Sequence, residues 1–231
     1  MQKMVTLAII ALSVLAAPTI GSIGGNFTTE LEPEIIGQIN QTDVIITPAE
    51  LSLWMQERTL WQERAFWTRM AIISMLLDSD SQNPVINRLL RNQKDMAETI
   101  APYYGNETAR EYGDLIKNHL LLTIQLAAAV REQNQTALQN ASNKWYQSAD
   151  EIAKFEANLS ANQTQRDRKA LWYENLNLTK NETMQLFNKD YNSSIDTFDR
   201  IEEQANMIAD SFTNGIILRF PERFGHQSNS I

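Results

Sequence analysis

The stretch that decides the fold is TPAELSLWMQERTLWQERAFWTRMAIISMLL, residues 47–77. Thr47, Pro48 and Glu50 together read as a helix start. The Thr hydroxyl accepts the N–H of the third helical residue and the Glu carboxylate accepts the N–H of the cap. Pro loses nothing at the first helical position, where its missing N–H would be unpaired anyway. Leu53, Leu60, Trp67 and Ser74 then recur at seven, as do Trp54 and Trp61. That spacing keeps side chains on one helical face. Asp78–Asn83 breaks the pattern.

Outward from this helix the same period repeats. Pro84 starts a second helix carrying Val85, Leu89, Leu90, Met96 and Ile100, which ends at Ala101-Pro102-Tyr103-Tyr104-Gly105. Leu115, His119, Leu122 and Leu126 mark a third over 106–133. Trp145, Ala149, Ile152 and Phe155 mark a fourth over 135–159. Residues 160–164 form a linker. A fifth helix begins near Gln165 and holds Leu171, Trp172 and Leu178. Thr179-Lys180-Asn181-Glu182 reads as another capping box, which predicts a break or kink there. The last helix, 194–220, points Ile195, Phe198, Ile201, Ala205, Ile208 and Phe212 inward, and Pro221 stops it. No strand-period alternation of useful length occurs. Long helices with short connections predict an all-α fold, an antiparallel helical bundle of about four to six helices.

The N-terminus carries a different signal. Lys3 precedes an uncharged run from Val5 to Ala17 with small residues near Ala16, the pattern of a secretory signal. An uncleaved anchor is the rival reading, weakened by Pro18 and nearby glycines. The expected organisation is a signal peptide or membrane anchor over 1–24, a polar linker over 25–47, the bundle over 48–221 and a flexible tail over 222–231. Either N-terminal reading puts the bundle outside the cytoplasm.

Asn-X-Ser/Thr supports export. It occurs at Asn26, Asn40, Asn106, Asn134, Asn140, Asn158, Asn162, Asn177, Asn181 and Asn192. Ten is well above the roughly three expected by chance from 20 Asn and 31 Ser and Thr in 231 residues. The functional reading is N-glycosylation; the alternative is Asn-rich composition with capping Ser and Thr nearby. Residues 43–105 and 195–231 have no such site, so these stretches are either shielded by the fold or free to meet a partner. Many sites with no Cys fit an archaeal exterior better than an animal one, because animal secreted domains usually carry disulfides.

Composition excludes several chemistries. No Cys means no disulfide, thiolate site or Cys nucleophile. Two His argue against multi-His metal sites. A net charge of −8 without a basic stripe argues against nucleic acid. No Gly-x-Ser-x-Gly elbow occurs, and His226 falls in the predicted tail.

The remaining candidates are polar residues on apolar stripes. Arg64 lies between Leu60 and Trp67, His119 between Leu115 and Leu122, and Glu202 between Phe198 and Ala205. Asp150, Glu151 and Glu174 flank the inner faces of their helices. A buried Arg64 calls for a nearby carboxylate. Such groups in a bundle core form a metal site, an anion or small-ligand site, or a satisfied polar core that fixes register. Glu-x-x-His, the di-metal bundle motif, is missing. Trp54, Trp61, Trp67, Trp145, Trp172, Tyr103, Tyr104 and Tyr146 line either a core or a pocket. Arg88, Arg91 and Lys94 read as a solvated face or a small basic patch for an acidic partner or lipid headgroups.

Several strings carry a resemblance: Leu60-Trp61-Gln62-Glu63-Arg64-Ala65-Phe66-Trp67-Thr68-Arg69, Arg88-Leu89-Leu90-Arg91-Asn92, Pro102-Tyr103-Tyr104-Gly105, Trp145-Tyr146 with Ala149-Asp150-Glu151-Ile152, and Asp199-Arg200-Ile201-Glu202-Glu203-Gln204-Ala205. Over about residues 50–220 the chain resembles a poorly characterised prokaryotic family of α-helical exported or envelope proteins. The resemblance implies a bundle and no established activity. It also implies His in relatives at the positions of Arg64 and Asn175, a departure that weakens any metal site in this chain.

The sequence therefore predicts a glycosylated extracytoplasmic bundle, secreted or held at the cell surface. It is expected to act by contact with a protein partner, without enzymatic activity or a cofactor. Membrane attachment would come only through an uncleaved N-terminal segment. The alternative is a small-ligand or metal-binding bundle using the polar core residues.

Overall fold

The computed structural model describes residues 46–226. The N-terminal segment, most of the linker, Asn26, Asn40 and the last five residues lie outside this range. Within it the protein is all-α, with no strand among the described residues. Five helices run in chain order: α1 (Pro48–Leu76), α2 (Gln82–Arg131), α3 (Gln135–Leu159), α4 (Gln165–Phe187) and α5 (Tyr191–Arg219), followed by a short 3-10 turn (Pro221–Phe224). Each helix packs on its successor, and α1 also packs on α5, closing the bundle. No helix among the described residues is long and apolar enough to cross a membrane.

The starts follow local chemistry. Thr47 and Glu50 form the predicted capping box of α1, with Pro48 at the first position. Thr164 and Asp167 form a second box at α4. The side chains of Asn134 and Asp190 accept N–H groups at the starts of α3 and α5.

α2 is a helical hairpin of two limbs. Gly105 sits at φ 84°, ψ 163°, a conformation open to glycine, and the chain reverses there. Limbs 82–104 and 106–131 then lie side by side. A Cβ at Gly113 would stand 3.2 Å from the Cβ of Ala97, so glycine permits the close approach. Ile86 and Ile124 pack around the same buried cluster of Ile72, Met75 and Ala127. The predicted second and third helices are these two limbs.

Three expectations are corrected. α4 runs unbroken through Thr179–Glu182, so no cap forms there. Its interior is satisfied helically, and both side chains turn into the bundle, where they are buried. Ile195 is exposed rather than inward. Phe224 is buried and stacks on Tyr103 at 5.7 Å, so the packed bundle extends into the segment expected to be a loose tail. His226 also lies in the described fold, with Nε2 2.8 Å from Glu50 Oε1.

Candidate functional site

A column of polar groups runs through the bundle centre. It includes two closed ion-pair systems. Glu156 on α3 receives two N–H groups of Arg168 on α4, the Trp172 Nε1–H at 2.9 Å and the Tyr112 hydroxyl at 3.3 Å. Both members of this pair are almost fully buried. On the other side Arg69 of α1 pairs with Glu182 of α4, and its guanidinium also donates to the Ser194 carbonyl at 3.1 Å. Burial pushes the Glu182 carboxyl up to about 7 against the opposing pull of Arg69.

Arg64 lies in this column without such a partner. It is 5% exposed, yet no carboxylate lies within salt-bridge distance and its Nε is unbonded. The expected nearby carboxylate is thus not supplied: the one that Arg64 senses, Glu156, is already neutralised by Arg168. Aromatic faces take its place. The guanidinium carbon is 4.9 Å from the Trp61 ring centroid and 4.8 Å from that of Trp172. Each such contact contributes about 1–2 kcal/mol when water is excluded. That offsets part of the several kcal/mol that desolvating an isolated cation costs. Burial lowers the Arg64 pKa to about 10, so it stays charged at neutral pH.

His119, from the second limb of α2, stands beside Arg64. Its ring stacks on Trp145 at 5.6 Å and meets the edge of Trp172 at 5.1 Å. Burial, reinforced by the Arg64 charge, holds its pKa well below the ordinary value, so the ring is neutral. Ser148 fixes its tautomer. The Ser148 hydroxyl donates to the Trp145 carbonyl at 2.7 Å, so its oxygen accepts from His119 Nδ1–H at 2.8 Å. Nε2 then keeps a free lone pair.

Arg64 and His119 line one cavity among the helices. Trp61 and Thr68 of α1, Thr123 of α2, Trp145 of α3, and Asn175, Thr179 and Glu182 of α4 line it too, and Ile201 and Ala205 of α5 close it. The free space is about 20 Å³, taken as room for the centre of a water-sized sphere. It therefore admits a few heavy atoms and no more.

The other predicted site residues do not converge here. Asp150 pairs with Lys169 at 2.8 Å near the surface. Glu151 is exposed beside Gln147, and Glu174 is exposed and 3.4 Å from Arg200. Glu202 is half-buried, and only its backbone carbonyl is used, by Gln62 at 2.9 Å. No group of three His, Asp or Glu suited to a metal forms among the described residues. Arg88 is half-buried against Glu63 and Trp67, while Arg91 and Lys94 are exposed, so the three do not make one basic patch.

Sequence reading missed Glu57, Glu156, Arg168 and Glu182. Glu57 had a signal, since it sits between Leu53 and Leu60 as Arg64 sits between Leu60 and Trp67. Glu156 and Arg168 lie on different helices, and their pairing has no local signature.

No protein-family model matches the chain, and no curated protein or solved structure matches it significantly.

Proposed function

We propose that this protein is an extracytoplasmic binding module that holds a small ligand in the bundle core, between Arg64 and His119. One observation carries the reading: two polar side chains from different helices line a single cavity walled by Trp61 and Trp145. A polar core that only fixed register would satisfy its own donors. This one leaves the Nε of its buried cation unbonded.

Export is supported by where the glycosylation motifs fall. All eight described motif asparagines are exposed, from Asn106 to Asn192. Residues i and i+2 on a helix lie about 200° apart. The hydroxyls of Thr179, Thr183 and Ser194 accordingly fall inside while their asparagines face out. Intact mass of the native protein before and after enzymatic deglycosylation tests this part.

Thermal unfolding of the full chain with a panel of solutes of six heavy atoms or fewer, charged and neutral, tests the binding part. At least one should stabilise the protein saturably. A flat response across the whole panel contradicts the reading.

A second reading, contact with a protein partner at the cell surface, has its own support. Leu51, Met55 and Phe66 are exposed on α1, and Met207 and Leu218 on α5. All lie in stretches without glycosylation motifs. Phe66→Lys should weaken association with isolated cell envelopes, and unchanged association would contradict this reading.

A further inference from the structure

We infer that the cavity formed by Arg64, Trp61 and Trp145 is a site for a single small monovalent anion, of the chloride, nitrate or short carboxylate kind. The inference rests on the ligand-binding reading above and names the chemical class of its ligand. Buried polar atoms without a partner show what the site lacks. Among the residues lining the cavity these are Arg64 Nε, Trp61 Nε1 and Trp145 Nε1, all N–H donors, set against the one free lone pair of His119 Nε2. Trp172 Nε1, the other indole donor nearby, is already spent on Glu156. Donors outnumber the one free acceptor three to one, so the fitting ligand is chiefly an acceptor.

Charge then separates an anion from a neutral acceptor. The buried pair Arg168–Glu156 and the partly buried pair Arg69–Glu182 each close on themselves. Arg64 is left as an uncompensated positive charge, almost fully buried between the Trp61 and Trp172 rings. One negative charge balances one guanidinium, whereas a dianion would leave an excess charge in the core. Glu182 lines the same cavity; its pairing with Arg69 lessens its repulsion of a single negative charge, and a dianion meets twice that repulsion. Free space of about 20 Å³ limits the occupant to a few heavy atoms.

The test compares isosteres. Thermal unfolding of the full chain is followed in sodium chloride, nitrate, acetate and sulfate, with acetamide as the neutral twin of acetate. Ionic strength is held constant with isethionate, which is too large for the cavity. Chloride, nitrate or acetate should raise Tm saturably by about 3–6 °C, and acetamide and sulfate should not. In Arg64→Met the response should vanish. Chloride-35 line broadening on the unmodified chain, relieved by competing nitrate, gives a direct readout that does not depend on the variant folding. If acetamide matches acetate, the anion assignment falls and the ligand-binding reading stands. An anion response that persists in Arg64→Met places the ion elsewhere and overturns the inference. Silence from every solute, with no line broadening, overturns both and leaves a water-filled core.

Discussion

Replacing Glu57 by Gln should change how stability depends on pH. Glu57 is 1% exposed on α1, and Oε1 lies 2.5 Å from the Thr99 hydroxyl. That hydroxyl also lies 2.8 Å from the Met96 carbonyl. A threonine has one hydroxyl proton. It cannot serve the carboxylate and the carbonyl at once, so Thr99 offsets only part of the cost of burying a charge here. Burial accordingly pushes the Glu57 pKa from 4.5 up to about 7, opposed by Thr99 and reinforced by Glu156. The folded state holds the proton more tightly than the unfolded state. This group's contribution is therefore fully present below pH 4.5 and is lost as pH rises through 7. At 1.36 kcal/mol per pKa unit the loss is about 3 kcal/mol. Gln keeps the shape and donates to Thr99 without titrating. Urea unfolding of both proteins at pH 4.5 and pH 8 gives the variant-minus-parent difference. Glu182 titrates in the same window but is common to both, so it cancels. The difference should move toward the variant by about 3 kcal/mol, or roughly 6–12 °C in Tm for a domain of this size. A difference constant within about 0.5 kcal/mol would refute the buried neutral acid.

Glu156→Ala should cost about 3–5 kcal/mol in urea unfolding, because it strands Arg168 in the core beside an unpaired Trp172 Nε1. Glu156→Leu combined with Arg168→Met should recover most of that loss, and equal damage in the single and double variants would show that charge burial is not the cause. Gly105→Ala should cost about 1–3 kcal/mol, since φ 84° with ψ 163° is strained for any residue with a Cβ, although nothing crowds that position in space. A neutral result would mean that the α2 hairpin turns some other way.

Much of this architecture was legible because its signals are local. The capping box at Thr47, the seven-residue recurrence through Trp67 and Pro-Tyr-Tyr-Gly at 102–105 are all set within a few residues. Arg64 and His119 stood out because each interrupts an apolar stripe. Asp150, Glu151, Glu174 and Glu202 were misjudged for a related reason. One residue is a 100° step on a helix, so flanking an inner face leads outward as readily as inward. Thr179-Lys180-Asn181-Glu182 has the composition of a cap. Tertiary packing overrode it, because Glu182 found Arg69 on α1 and Thr179 found the cavity. The lack of a carboxylate at Arg64 could not be read at all, since it depends on which charges four other helices bring together.

The claim on which the account turns is that Arg64 is a buried cation left for a ligand to neutralise. Diffraction at the bromine edge from crystals grown in sodium bromide measures this directly. One anomalous peak is expected in the core, within hydrogen-bond reach of the Arg64 guanidinium and bounded by Trp61 and Trp145. A core without bromide, in which Glu182 or another carboxylate has turned onto Arg64, would contradict it.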